Sequence, residues 1–406
     1  MNRMNKIIHL GLLLCLLGTG GKGLGSENKK KLNYFFKGKI SRTVLENYLA
    51  RSATVASLLH LTLDDDLRMM QNTGVKFAGR VIWMWGGESK IEALIDKGIP
   101  FVKRIHAMDP DIILQGAIFE IITTDVNNVP IPASVFEEFN LAPENRNFNY
   151  EKMIYPFGHR VNHWDKDASV PDMSRTETKM WFFYVAKRWI DLGLEAIHFG
   201  QVEIMDDRDR KRVHWRDVIA RIRSYAMKHA RRNIVLCDAH VPSGGIVHDG
   251  KLMFDLHSFP SRPKSLKGQP HKAILEKGFS DSIYGRSAGG LTPSGWSCES
   301  LPYIVEIDNF GSSDHAGEYR ESDKIHVWGW DEINWFINQP ESYRNEWLEY
   351  AYRWVRENDP NGYFQLPLRR FQHYSASMND PKGKSCLLYT SPSPRDQRGS
   401  RMPSSA

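Results

Sequence analysis

EAIHFGQVE, residues 195–203, is the stretch on which the fold turns. It is an apolar, strand-like run lying directly between two helical patterns. Before it, Asp172 to Leu192 reads as a helix, with Ser174 and Glu177 spaced as an S-x-x-E capping box and Gly193 as a stop. After it, Trp215, Val218, Ile219, Ile222, Tyr225 and Ala226 recur at helical spacing, and Ile234 to His240 is strand-like again. Near-continuous apolar strands separated by helices imply parallel strands joined by crossover helices, covered on both faces.

The same alternation extends outward in both directions. Strand signals fall at Phe77–Trp85 (FAGRVIWMW), Ile112–Glu120 (IILQGAIFE), Met153–Phe157, Leu252–Ser258, Tyr303–Asp308 and Tyr363–Pro367 (YFQLP). Helical signals fall at Asp64–Asn72, at Glu88–His106 with an interruption around Gly98–Pro100, at Pro270–Lys277, and at Trp330–Glu357 with a break at Pro340. Val126–Asn149 reads as an irregular excursion, and the fifth and sixth strands are joined without a long helix. With the two central strands the count is eight, which predicts an α/β fold of the (β/α)8 TIM-barrel type; such barrels occupy about 250 residues. An open doubly wound sheet is the competitor, but no Gly-rich phosphate loop follows the first strand. No eighth helix is visible, so it is expected to be missing through C-terminal truncation.

The ends of the 406-residue chain read differently from its middle. Arg3 and Lys6, the apolar run Ile7–Leu17 and the small residues Gly18–Gly21 form a secretory signal, too short for a membrane span of about 20 residues. A secreted or periplasmic location is expected. A lipid anchor on Cys15 is disfavoured, because that residue lies inside the apolar run behind Leu14. Residues 386–406 are Ser/Pro/Arg-rich and aperiodic, and read as a non-native, disordered tail. The expected organisation is a signal peptide at 1–25, a linker and helical extension at 26–63, the barrel at 64–385 and the tail at 386–406. Of the net charge of +6, Arg3, Lys6 and Lys22 supply three and the tail a further two, which leaves the barrel close to neutral. The charge balance therefore gives no support for nucleic-acid binding. Cys237 and Cys298 are the cysteines outside the ends; an exported protein allows a disulfide between them, and Cys237 sits in an apolar run equally suited to a buried free thiol.

In a barrel the chemistry sits at the C-terminal ends of the strands. The expected ends carry Trp83 and Trp85 (first), Glu120 (second), Gln201 and Glu203 (fourth), Asp238 and His240 (fifth), Asp255 and His257 (sixth), and Glu306 and Asp308 (seventh). Two carboxylates facing one bond divide the work of glycoside hydrolysis: one protonates the leaving oxygen, the other attacks carbon or activates water. Glu203 and Glu306 are the expected pair, with Asp308 in reserve.

YIVEIDNFG, around Glu306, resembles the nucleophile strand of retaining (β/α)8 glycoside hydrolases. That resemblance implies a nucleophile at Glu306 and an acid/base at Glu203. Val202 stands where those enzymes usually carry an Asn that binds the sugar 2-hydroxyl. Gln201, Asp238, His240, Asp255, His257, Asp308, Trp83, Trp85 and Glu120 are expected to shape the sugar site. Trp164, Trp296, Trp328 and Trp330 join them as rim aromatics, since indole faces cover pyranose rings. Trp181, Trp189, Trp335 and Trp347 are assigned to packing.

The resulting expectation is a secreted glycoside hydrolase taking a carbohydrate substrate, with no cofactor and no transmembrane segment. Two alternatives remain: a non-catalytic carbohydrate-binding barrel, and a metal-dependent barrel hydrolase using the two Asp-x-His pairs. The first strand lacks His-x-His, and Gly-x-Ser-x-Gly is absent. The basic run Arg208–Arg212 reads as a solvated turn.

Overall fold

A computed structural model describes residues 32–56, 63–266, 268–282, 284–309, 332–373 and 385–389. Residues 1–33 and 34–406 separate as two units. The signal segment, and most of the expected tail, lie outside the described residues.

The larger unit begins with helix α1 (Arg42–Leu49), strand β1 (Ser52–Val55), α2 (Leu63–Thr73), β2 (Phe77–Ile82), α3 (Ile91–Met108) and β3 (Ile113–Ala117). Then come α4 (Thr176–Leu192), β4 (Ala196–Gln201), α5 (Val213–His229), β5 (Leu236–His240), β6 (His257–Pro260) and β7 (Tyr303–Glu306). Helices α6 (Glu332–Ile337) and α7 (Glu341–Asn358) lead to β8 (Gly362–Phe364) and its continuation β9 (Leu366–His373). Each strand from β1 to β8 pairs in parallel with the next. Ile304 of β7 is in register with Tyr363, and Ala53 of β1 with Leu366, so the β8–β9 segment joins the two ends of the sheet and closes the barrel. The (β/α)8 class follows from this order.

Two strands differ from the sequence reading. Ser52–Val55, inside the expected helical extension, is the first barrel strand; four residues are too few to show a period. Met153–Phe157 is not a barrel strand. Ile154 makes a lone bridge to Pro171, and Pro156 starts a short 3-10 turn in which Phe157 has φ 60°. One omission and one excess cancel, so β4 and β7 keep their expected places.

The helices also show tertiary context overriding local signals. α3 runs unbroken through Pro100, with Leu94, Ile95, Phe101, Val102 and Ile105 buried on either side of it. The Ser174/Glu177 capping box does not form, because the Glu177 carboxylate accepts from Arg146 and from the Asn149 amide instead. Residues 269–274, expected to be helical, pair as a strand with Lys264–Leu266. That strand's backbone is satisfied from α6 and α7. Trp335 and Trp347 donate to the His271 and Ala273 carbonyls, and the Tyr343 and Tyr350 hydroxyls accept from the Ala273 and Leu275 amides. Ser385–Tyr389, at the start of the expected tail, lies antiparallel to β9.

α1 plugs the lower mouth of the barrel. Ser41 caps it, accepting from the Val44 amide. Val44, Leu45, Tyr48 and Leu49 join Phe36 and Ile40 against Phe77, Ile113, Ala196, Leu236, Leu256, Ile304 and Tyr363, which mark the N-terminal ends of successive strands. Arg232 ties the plug down, pairing with Glu195 at 2.7 Å and donating to the Tyr48 hydroxyl. Among the described residues no helix is long and apolar enough to cross a membrane. Leu45→Ala should cost about 2–5 kcal/mol in urea unfolding; a loss below about 0.5 kcal/mol would mean that α1 does not close the barrel.

Candidate functional site

The upper half of the barrel interior is polar, and its side chains bond both between neighbouring strands and across the ring. Gln115 (β3) donates to Asp238 (β5) at 2.6 Å and accepts from the Arg80 amide (β2). His198 (β4) donates through Nδ1 to Asp238 at 2.7 Å, and the Ser258 hydroxyl (β6) donates to the same carboxylate. Burial, and then Arg80, lower the His198 pKa, so this imidazole stays neutral. The Arg80 guanidinium crosses the barrel to Glu306 (β7), whose Oε1 also accepts from His240 Nε2 at 3.1 Å. Glu306 is only 2% exposed. Burial alone would raise its pKa, but Arg80 and then His240 hold it well below the usual carboxylate range.

One layer higher, Asp308 reaches the barrel mouth with its side chain 14% exposed. Its carboxylate lies 3.8 Å from His240 Nδ1 and 3.6 Å from Arg262. Burial opposes ionisation of Asp308, but His240, then Arg262 and Arg80, outweigh it and keep its pKa low. His240 moves the other way: burial would lower its pKa, but Asp308 and Glu306 raise it. Arg262 is also bound by Asp281 at 2.6 Å and by Glu332 at 3.3 Å. Glu332 accepts from the Asp308 amide at 3.0 Å, and burial pushes its pKa up to about 7. Arg80 and Arg262 both adopt left-handed backbone conformations, with φ 57° and 44°. Such strain costs roughly 1–3 kcal/mol per residue and gathers at functional sites.

Gln201, His240, Val241, Phe259, Pro260, Arg262, Asp281, Asp308 and Asn309 line a cavity of about 60 Å³ at this mouth. Gln201 is fixed by Glu120, which accepts from its amide at 2.9 Å and from its side chain at 2.8 Å. Gly200 makes that clamp possible: it has φ 59°, and a Cβ there would lie 2.0 Å from Glu120 Oε2. Glu203 lies just past β4, half-buried, and accepts from the Ser243 hydroxyl beyond β5. Trp83 and Trp85 both pack on Phe119, and Trp85, 43% exposed, meets Trp164 edge-on at 5.1 Å. The Arg80 guanidinium lies over Phe119, so the aromatic rim adjoins the polar interior.

Apart from Glu203 and the two rim tryptophans, the expected site residues divide into three groups. Gln201, His240 and Asp308 share the cavity. Asp238, Glu306 and Glu120 stand behind it as buried supports. Asp255 and His257 belong elsewhere: Asp255 accepts from Arg223 of α5 and from the Cys237 amide, and His257 meets Ser287 under the loop that replaces a helix. Period-two alternation explains the split. Asp238 and Ser258 face inward, so His257 faces out, where burial lowers its pKa to about 3. Trp296 sits at the plug, donating to the Ile40 carbonyl. Trp328 and Trp330 lie outside the described residues. Cys237 and Cys298 are free thiols, and burial pushes that of Cys237 up to about 12. Arg80, Gln115, His198, Arg262 and Glu332 were not anticipated. A charged residue inside the apolar run FAGRVIW was the available signal for Arg80; the long-range partners of the others left none.

No protein-family model and no curated protein matches the chain. Among solved structures it is similar to a GH27 β-L-arabinopyranosidase from Geobacillus stearothermophilus, at 10% identity and TM-score 0.29, over 48% of this chain and 50% of that one. It is similar to a debranching enzyme from Nostoc punctiforme at 11% identity and TM-score 0.31, over 50% and 42% of the two chains. An isomalto-dextranase from Arthrobacter globiformis T6, complexed with panose, matches at 10% identity and TM-score 0.34, over 79% of this chain and 48% of that one. The chain spans about half the length of these structures. The barrel assignment rests on the strand order above, not on these partial overlaps.

Two measurements check the network. Glu306→Ala leaves Arg80 buried and unpaired, and should lower unfolding free energy by about 3–5 kcal/mol; a surface-like loss under 1 kcal/mol would contradict the pairing. The pH dependence has a definite sign. Glu306 and Asp308, held low, add stability above about pH 4.5 that is lost as pH falls through their folded-state values. His240, held high, adds stability that is full below about pH 6.5 and lost as pH rises through its folded-state value. The stability difference between wild type and His240→Gln should therefore shrink above about pH 6.5. A difference that grows there would reverse the assignment.

Proposed function

We propose that the protein is a glycoside hydrolase that cleaves an oligo- or polysaccharide at the upper barrel mouth. The observation that carries this reading is Asp308: a carboxylate held ionised by His240 and Arg262 on the wall of a cavity at the strand C-termini. An ionised carboxylate is what attack on a sugar carbon, or activation of water, requires. Glu203 is the proposed acid/base. Strands β4 and β7 stand three apart in a ring of eight, so groups at their ends flank one bound chain from two sides. Glu306 then acts as a positioning residue, holding His240 and Arg80 beneath Asp308. This exchanges the roles of the primary and reserve carboxylates on the seventh strand. Gln201 binds a sugar hydroxyl, and Trp83 and Trp85 supply flat apolar faces for pyranose rings. The N-terminal signal pattern supports export, which suits an enzyme acting on external polysaccharide.

The test is release of reducing ends from a panel of polysaccharides and oligosaccharides. Wild type should cleave at least one member. Asp308→Asn and Glu203→Gln should each lower kcat/KM by about 100-fold or more while the protein stays folded at the assay temperature. Unchanged turnover in both variants would remove this carboxylate pair. Retention on immobilised polysaccharide without any cleavage would make the barrel a binding protein.

A further inference from the structure

The loop between β4 and α5 holds a group that the cleft chemistry does not use. Asp206 is 3% exposed, and its Oδ2 is completely buried with no hydrogen-bond partner. No described residue forms an ion pair or hydrogen bond with this carboxylate; Arg212, the nearest basic neighbour in the loop, donates to the Asp206 backbone carbonyl instead. A buried, unpartnered carboxylate is costly as the anion, and either a proton or a counter-charge relieves that cost.

Two further side chains face the same point. A carboxylate oxygen of Asp206, one of Asp209 and a ring nitrogen of His214 all lie within 4.8 Å of one another. Asp209 is held in place by the backbone: one of its oxygens accepts from the Lys211 amide at 2.9 Å, the other from the Val213 amide at 2.6 Å. Both oxygens keep lone pairs for a ligand. His214 lies in the first turn of α5, so its position is set by the helix. Two carboxylates and one imidazole are a mixed oxygen–nitrogen set, which suits borderline divalent ions.

We propose that Asp206, Asp209 and His214 bind a divalent transition-metal cation of the zinc or manganese kind. Three protein ligands leave the remaining positions to water. The ion ties the middle of the loop to the start of α5. Further loop contacts run to the segment before α4: the Tyr155 hydroxyl donates to the Ile204 carbonyl, and His159 and Arg160 bind Asp207. With the ion in place, the segment carrying Glu203 is fixed from both sides. The site is independent of the hydrolytic reading, because it is defined by binding alone.

The test uses the full chain, stripped with EDTA and desalted, then titrated separately with Zn²⁺ and Mn²⁺ in equilibrium dialysis and in thermal melts. One ion per chain should bind, and saturating ion should raise the melting temperature. Asp206→Asn and His214→Gln should each weaken binding at least tenfold and remove that rise. Asp206→Asn should match or exceed the metal-free melting temperature of wild type, since it neutralises a buried charge, whereas a merely structural Asp206 would lose stability on substitution. Absence of binding to wild type at millimolar ion, or binding unaffected by both substitutions, would overturn the proposal.

Discussion

Arg80 and Glu306 face each other inside a closed ring of strands, where either charge alone would cost several kcal/mol to bury. The pair is stable only where neighbouring polar groups hold it. Much of the upper barrel is organised to that end. Gln115, Asp238, His198 and Ser258 form one connected set, and His240 joins it to Glu306. The set links β2 through β7 by side chains as well as by the backbone ladder. It also fixes the height of Asp308, two residues above Glu306 on the same strand face.

The division of labour follows from depth. Below, α1 and the strand starts form an apolar plug that contributes burial energy. In the middle, paired charges hold geometry. At the mouth, the same charges polarise groups that solvent can reach: Asp308 is kept anionic, and the His240 pKa is raised by its two carboxylate neighbours. Between β5 and β7 the described connections include short antiparallel strands instead of helices, and one of these, residues 269–274, leans on α6 and α7 through Trp and Tyr side chains. The cavity at the mouth lies beside β6, lined in part by Phe259 and Pro260 of that strand.

The barrel class was legible because the long apolar strands and amphipathic helices carry strong local patterns. Seven of the eight strands overlap a stretch legible in the sequence, although β6 starts later than Leu252, and the expected strand ends include Gln201, His240 and Asp308, which line the cavity. Ser52–Val55 was not legible: it is four residues long, with two inward polar side chains and no period to detect. The relative depth of Glu306 and Asp308 was not legible for a different reason. Period-two alternation gives a side chain's face but not its depth, and depth depends on Arg80, more than 200 positions away in the chain. Asp255 and His257 show the same limit, since a bend before β6 sets which face of that strand looks inward. Residues 269–274 were misread because partners on α6 and α7, not local propensity, decide their conformation.

The most direct measurement is a crystal structure of an inactive Asp308→Asn variant with an oligosaccharide bound, from which the separation of the side-chain carbons of residues 203 and 308 is read. The account requires a sugar chain across the mouth, its scissile oxygen between the two groups, and a separation of roughly 5–9.5 Å, the span of retaining and inverting enzymes. A sugar bound away from residue 308, or a separation far beyond that span, would contradict hydrolysis by this pair.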